Sequence, residues 1–196
     1  MPDNSEVLQA MSDTPPILDT IAQQQGAGIF ETAQKQFPYL ADKDIAYRFA
    51  PQAAADPSYQ SETYRAEDIP DWAKGRQAAI EVYNPKVSPA DLLAEYVSHV
   101  ARFDDPRIAP LYQQFAQTFQ TPEMQTRLRQ DYQEEQPTED GKPTPFETYI
   151  EMNRIPAYMR GYAFQQWPQD FATRVLSPQQ QDYLNQIRSI VGYKPK

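Results

Sequence analysis

One histidine occurs in the 196-residue chain, and its spacing from a glutamate is the pattern most able to do chemistry. A helix would place Glu95 and His99 on the same face, one turn apart. A carboxylate and an imidazole in that arrangement can hold a transition metal or move a proton. The zincin motif needs a second histidine on that helix, and this sequence cannot supply it. We therefore predict no metal and no cofactor. Glu95 and His99 remain the candidate catalytic residues, beside the alternative of an ordinary core or surface histidine.

The sequence marks no nucleophile or carboxylate pair that would complete a hydrolase site. Ser98 adjoins His99, but neighbouring helical side chains diverge by about 100°, so the two cannot form a local nucleophile–base pair. The lack of cysteine excludes a thiol nucleophile. Paired carboxylates can hydrolyse glycosides, and acidic pairs occur at positions 104–105, 134–135 and 139–140. These pairs fall at predicted helix ends or in a loop, where solvated charges are usual. A peptidase or cell-wall hydrolase stays the alternative hypothesis.

Aromatic residues supply the candidates for binding a partner. Residues 158–167 are dense in tyrosine, phenylalanine and tryptophan, with Arg160 among them. Such a segment could stack on sugars or bases, although its helical spacing favours packing in the core. Trp72 lies next to Pro70, where it could anchor a loop or contact a partner. We predict Trp72, Tyr162 and Trp167 as partner-binding residues.

Helix starts dominate the sequence from residue 88 onward. Ser88, Thr121, Thr144 and Ser177 each precede a proline that is followed by acidic or amide side chains. At such a start the hydroxyl accepts a backbone N–H, and proline at the first helical position needs no donor. In a capping box the acid or amide three residues on reaches back to the cap. Asp105 before a proline could do the same, although Pro110 could delay that start. The apolar residues between these starts recur at helical spacing, which predicts five to seven short helices, with residues 137–145 as an exposed loop.

Short strands are predicted in the Pro-rich stretch between residues 41 and 87. Three runs rich in β-branched or aromatic residues cover 45–49, 61–65 and 79–83. In the last run Ile80 and Val82 alternate with Glu81 and Tyr83, which is typical of a half-buried strand. A small sheet or an extended loop docked on helices would both fit this stretch.

The predicted fold is therefore mainly α with a small β element (α+β). We expect residues 1–40 to form an acidic N-terminal arm with a short helix. Residues 41–87 would be a Pro-rich segment with two or three strands, and residues 88–196 a compact multi-helix domain. The net charge is −9, and residues 1–70 carry 11 acidic against 4 basic residues. A phosphate backbone would repel such a surface, so we expect no direct nucleic-acid binding. We also expect no membrane contact, because no apolar run approaches the length of a membrane span, and we expect no targeting signal, because a basic start followed by an apolar run is not found.

Two C-terminal segments, with two segments upstream of them, carry a resemblance to a known family. Residues 160–168 are Arg-Gly-Tyr-Ala-Phe-Gln-Gln-Trp-Pro, and residues 176–180 are Leu-Ser-Pro-Gln-Gln. Together with residues 80–85 and 88–93, they are similar to a module of polyvalent or internal virion proteins of tailed bacteriophages, and the resemblance covers roughly residues 79–191. Ser177 and Gln179 stand where that module has threonine and glutamate, so the helix cap is kept and the charge is lost.

The resemblance implies a context, and it brings no catalytic residues with it. It implies a phage gene product, assembled in the cytoplasm of a bacterial host and located in the virion. The expected function is a non-enzymatic virion component that binds other particle proteins, as a capsid-associated, neck or internal protein. Its partners would be capsid, portal or internal proteins, and it could oligomerise within the particle. The alternatives are a virion-carried hydrolase and a regulator that binds a host protein through the acidic arm.

Overall fold

The computed structural model describes residues 28–50, 61–84, 86–139, 141–164, 168, 171 and 174–194. Within them the protein is mainly α-helical with a small sheet, as predicted. The described residues form two compact units. The first unit holds those up to Gln36 and from Lys43 to Leu92, and the second holds Phe37–Asp42 and those from Leu93 onward. Most of the predicted acidic arm lies outside the described residues, as does Trp167.

A three-stranded mixed sheet organises the first unit. Its strands are β1 (Ile45–Phe49), β2 (Ser61–Arg65) and β3 (Ala78–Val82), in the order β1–β3–β2. Strand β1 runs parallel to β3, and β2 runs antiparallel to it. The prediction of a small β element is confirmed, and the strands lie on the three predicted runs, with β3 beginning one residue earlier. Residues 28–36 are helical, and Phe30 stacks on Tyr47 of β1 with ring centroids 4.8 Å apart. Short 3₁₀ turns at Ala66–Asp68 and Asp71–Ala73 lead from β2 to β3.

The prediction that β3 is half-buried is wrong, because all five of its residues are buried. As the central strand, β3 has a neighbour on each side, and side chains cover both of its faces. Glu81 is only 4% exposed, although its alternation with Ile80 and Val82 predicts a solvent-facing position. A buried carboxylate must be paired with a cation or with hydrogen-bond donors, so the burial of Glu81 indicates a network of polar side chains inside the first unit.

Helices make up the second unit. Helix α2 begins in the first unit and continues into the second at Leu93. The segments, in chain order, are α1 (Pro38–Ala41), α2 (Pro89–Tyr96), π1 (Val97–Ala101), α3 (Arg102–Asp104), α4 (Ala109–Gln117), α5 (Pro122–Glu135), α6 (Phe146–Thr148), π2 (Tyr149–Arg154), α7 (Ile155–Ala163) and α8 (Pro178–Ile190). The labels π1 and π2 mark π-helical turns. Between α5 and α6, in the predicted loop, β4 (Thr138–Glu139) pairs with β5 (Lys142–Pro143).

Three of the predicted helix caps are confirmed. Ser177 begins α8 with a full capping box: its hydroxyl accepts from the Gln180 N–H at 3.3 Å, and the Gln180 side chain accepts from the Ser177 N–H at 2.8 Å. Ser88 exchanges the same pair of bonds with Asp91 at the start of α2. Thr121 accepts from the Met124 N–H at 3.4 Å at the start of α5. These starts depend on residues within one turn, which is why the sequence predicts them.

Two other predicted helix starts lie elsewhere. The prediction that Thr144 caps α6 is wrong, since the cap is Pro145 and no side chain satisfies it. Thr144 is buried, and its carbonyl accepts from the Tyr132 hydroxyl at 2.6 Å. Helix α4 begins at Ala109, with Pro110 in its first turn, so Asp105 is not its cap. Asp105 accepts from the Tyr39 hydroxyl at 2.8 Å, a contact between residues 66 positions apart.

Aromatic side chains are prominent in the core of the second unit. Phe115 and Phe119 meet edge to face at 5.1 Å, and Phe119 meets Tyr158 of α7 at 5.2 Å. Helix α8 packs on α4 and on α7. Edge-to-face pairs add to the burial of large rings, and these rings pack in a core that also holds buried aliphatic residues such as Leu128 and Leu184. Among the described residues, no helix combines the length and the apolarity that crossing a bilayer requires.

Candidate functional site

The structure brings Glu95 and His99 together and adds an arginine. Glu95 lies in the last turn of α2, and His99 lies in π1, which follows it without a break. The Glu95 Oε2 atom is 3.4 Å from His99 Nε2. Arg160, from α7, places Nη1 3.3 Å from Glu95 Oε1 and 2.9 Å from His99 Nε2. We call these three side chains the Arg160 cluster. π-Helical turns frequently occur at functional sites, and His99 lies in one of them.

The hydrogen bonds set the protonation state of His99. Guanidinium nitrogens only donate, so His99 Nε2 accepts from Arg160, and the proton of the neutral ring lies on Nδ1. Burial of the imidazole, with the charges of Arg160 and Arg102 acting in the same direction, lowers the pKa of His99 to about 3. The ring is therefore neutral at pH 7, and its 3.4 Å approach to Glu95 is not an ion pair. A base this weak, with its lone pair already engaged, is poorly suited to abstract a proton.

A metal site would need further ligands around Glu95 and His99. Within the described ranges, no three side chains of histidine, aspartate or glutamate come together in a way that could hold a metal ion. Arg160 Nη1 lies 2.9 Å from His99 Nε2, on the lone-pair side where a metal ion would bind, and its charge opposes a cation there. The predictions of no metal and of Glu95 and His99 as candidate catalytic residues stay predictions.

A second polar cluster, which the sequence does not predict, lies in the sheet of the first unit. Strand register places Arg48, Glu81 and Glu62 side by side across β1, β3 and β2. Arg48 Nε donates to Glu81 Oε1 at 2.7 Å, and a second nitrogen of Arg48 forms an ion pair with the same oxygen. A buried carboxylate is thus paired by a cation from the neighbouring strand. The alternation of β3 could show which face Glu81 takes, but no sequence signal gives the register.

Two tyrosines complete this cluster. The hydroxyls of Tyr64 and Tyr83 donate to Glu62 Oε2 at 2.7 and 2.8 Å, and each lies 3.4 Å from Glu81 Oε2. Burial, reinforced by the bond to Glu62, raises the pKa of Tyr64 to about 12. The same two causes raise the pKa of Tyr83 further above its ordinary value of 10.0. Both phenols stay protonated at neutral pH and act as donors, so the cluster ties the strands of the sheet together.

The predicted partner-binding residues have different environments. Trp72 is half-buried, and the Arg48 guanidinium lies over its ring, 4.7 Å from the centroid. Tyr162 is buried, its ring lies beneath Arg188 at 5.3 Å, and its hydroxyl is 3.4 Å from the Gln181 side chain. Trp167 lies outside the described residues. The binding roles of Trp72, Tyr162 and Trp167 stay predictions, and Tyr162 would need its surroundings to open before it contacted a partner.

Two large apolar side chains lie exposed around one buried arginine. Phe103 of α3 is 45% exposed, and Met152 of π2 is 48% exposed. Between them the Arg102 guanidinium lies 4.4 Å from the Phe103 ring centroid and 3.6 Å from the Met152 sulfur. Arg102 itself is buried, and it donates to the Tyr112 hydroxyl at 2.6 Å and to the Glu151 carbonyl at 3.0 Å. We call Phe103 and Met152, with Arg102 beneath them, the Phe103–Met152 surface.

Comparison of the chain with protein-family models, curated proteins and solved structures gives no match. The predicted relationship of residues 79–191 to phage virion proteins therefore stays a prediction. Any function has to be argued from the geometry of the Arg160 cluster and the Phe103–Met152 surface.

Proposed function

We propose that this chain is a non-enzymatic bacteriophage virion component that binds other particle proteins. The observation that carries the proposal is the Phe103–Met152 surface. Two large apolar side chains from different helical segments stay nearly half exposed while one guanidinium holds them near each other. Methionine, aromatic residues and arginine are all enriched where proteins bind one another.

The rigidity of this surface supports a binding role. Arg102 is fixed by hydrogen bonds to a tyrosine hydroxyl and a backbone carbonyl, so it cannot swing away from Phe103 and Met152. A partner that covers the surface would therefore lose little side-chain entropy in the arginine. The fixed guanidinium also keeps α3 and π2 in register, so both apolar side chains are presented together.

The Arg160 cluster argues against the alternative of a virion-carried hydrolase. A histidine whose pKa lies near 3 and whose Nε2 already accepts a hydrogen bond is a weak general base at neutral pH. The net charge of −9 favours a partner with a basic surface, since opposite charges speed association. A host-protein regulator would share this charge argument, so the experiment must distinguish the two.

The test separates particles from producing cells on a density gradient and measures each fraction by quantitative mass spectrometry. We expect the chain to co-sediment at a fixed ratio to the major capsid protein, and the ratio indicates shell, neck or interior. Absence from purified particles would overturn the virion proposal, and recovery with a host protein instead would favour the regulator.

Variants connect the particle test to the surface. The double variant Phe103→Ala with Met152→Ala should lower incorporation into particles. Phe171→Ala is the matched control, because Phe171 is also a large exposed apolar residue, at 41%. Equal incorporation of the double variant and the control would remove the Phe103–Met152 surface from the proposal. Circular dichroism of each variant checks that the helical fold is kept.

A further inference from the structure

Toward the part of the chain that the structure describes, Arg160 uses only one of its three guanidinium nitrogens. Nη1 makes both contacts, to Glu95 Oε1 and to His99 Nε2. Among the described residues, Nε and Nη2 have no hydrogen-bond partner, and neither is a buried atom. The Arg160 side chain as a whole is 23% exposed. Together Nε and Nη2 carry three N–H donors.

The unused nitrogens form the edge that recognises oxyanions. Nε–H and one N–H of Nη2 are parallel, with a spacing that matches the two oxygens of a carboxylate or a phosphate. The contacts to Glu95 and His99 fix the guanidinium plane before any ligand arrives. A fork that is already oriented loses less conformational entropy on binding than a mobile surface arginine.

The surrounding charges favour an anion, although the chain as a whole is acidic. Arg160 and Arg102 both act on His99 as positive charges. Glu95 contacts Nη1, which leaves the Nε–Nη2 edge without an anionic partner. His99 is neutral and carries its proton on Nδ1, so it adds no negative charge to the cluster. Long-range repulsion from the net charge of −9 is screened over about 10 Å at ordinary salt concentrations.

We propose that the Nε–Nη2 edge of Arg160 is a binding site for an oxyanion that carries two oxygens on one centre, either a carboxylate or a phosphate. The ligand would accept from Nε and Nη2, while Nη1 keeps its contacts to Glu95 and His99. This site is separate from the contact assigned to the Phe103–Met152 surface and does not depend on the protein being a virion component.

The test follows the Arg160 Nε–H and the His99 ring by nuclear magnetic resonance while anions are added at pH 7 and constant ionic strength. His99 is the only histidine in the sequence, so its ring signals are identified without ambiguity. The probes are sodium acetate, sodium phosphate and sodium chloride. We expect saturable shifts at both residues, with acetate or phosphate binding at least about tenfold more tightly than chloride, which corresponds to about 1.4 kcal/mol. Tighter binding of acetate identifies a carboxylate site, and tighter binding of phosphate identifies a phosphate site.

Arginine variants distinguish binding through two parallel N–H donors from binding through positive charge alone. Arg160→Lys keeps the charge and loses the two parallel donors, so the preference for two-oxygen anions should disappear. Arg76→Lys is the matched control, because Arg76 is an exposed arginine with a single ion pair, to Asp44. The proposal is overturned if chloride shifts the wild-type signals as strongly as acetate and phosphate do. It is also overturned if Arg160→Lys binds both oxyanions as tightly as the wild type. The wild-type titration decides the question even if the variant does not fold.

Discussion

Replacement of His99 by glutamine should make the protein less sensitive to acid. In the folded protein the pKa of His99 is lowered from 6.5 to about 3, first by burial and then by the charges of Arg160 and Arg102. Between these values the unfolded chain binds a proton at His99 and the folded chain does not. The unfolding free energy that depends on His99 is therefore fully present above about pH 6.5 and is lost as the pH falls toward 3. Glutamine removes this titration, and its side-chain oxygen can still accept from Arg160 Nη1.

The size of the effect follows from the pKa difference. Each pH unit below 6.5 removes about 1.4 kcal/mol of unfolding free energy until the folded-state pKa is reached. At pH 4 the loss assigned to His99 is about 3 kcal/mol. The His99 side chain is 26% exposed, so solvent screens the interactions that lower its pKa only weakly. A loss of this size is a large part of the total stability of an ordinary domain.

Urea unfolding of wild type and His99→Gln at pH 7 and pH 4 measures the difference directly. The carboxylates titrate in both proteins, so their contribution cancels when the two pH-dependent changes are subtracted. The wild type should lose about 3 kcal/mol more than the variant between the two pH values. Parallel losses in both proteins would refute the argument, and so would a His99 ring that titrates near pH 6.5 in the folded wild type.

Three further outcomes follow from other contacts. The double variant Phe103→Ala with Met152→Ala should weaken binding to a partner that covers the surface by about 2 kcal/mol, or roughly 30-fold, because about half of each side chain remains to be buried. Titration calorimetry with the isolated partner measures this change, and an unchanged affinity would show that the contact lies elsewhere. Glu81→Gln should lower the unfolding free energy by about 2 kcal/mol, since the buried carboxylate accepts charged hydrogen bonds from Arg48. The control Glu67→Gln, at an exposed glutamate, should lower the unfolding free energy by less than about 1 kcal/mol. Equal losses of the two variants in urea unfolding would contradict the role of burial. Ser177→Ala should lower stability by about 1 kcal/mol, as the loss of a helix cap does, and an unchanged melting temperature would show that the capping box of α8 contributes nothing.

The features that the sequence predicts well are those with local causes. Ser88, Thr121 and Ser177 cap helices through bonds within one turn, so neighbouring residues are sufficient to identify them. The strands at 45–49 and 61–65 follow from β-branched and aromatic residues bounded by turn-forming ones. The pairing of Glu95 with His99 follows from the helical spacing of four residues.

The features that the sequence misses depend on distant partners. Thr144 has the pattern of a helix cap, yet it is buried, its carbonyl accepts from the Tyr132 hydroxyl, and its side chain does not cap α6. Glu81 alternates as a surface residue would, but its position on the central strand gives it Arg48 and two tyrosines as partners.

By itself the sequence determined that this protein is mainly helical and acidic, and where several helices and strands begin and end. Only the tertiary structure decided the chemistry of the candidate sites. Arg160 reaches Glu95 and His99 from 65 and 61 positions away, and this contact leaves one guanidinium edge unused. Burial, together with the charges of Arg160 and Arg102, keeps His99 neutral. Met152 lies against Arg102 from 50 positions away, and this contact forms the Phe103–Met152 surface. Backbone preferences act over a few residues, whereas burial and charge act through space, so the helices could be predicted and the two sites could not.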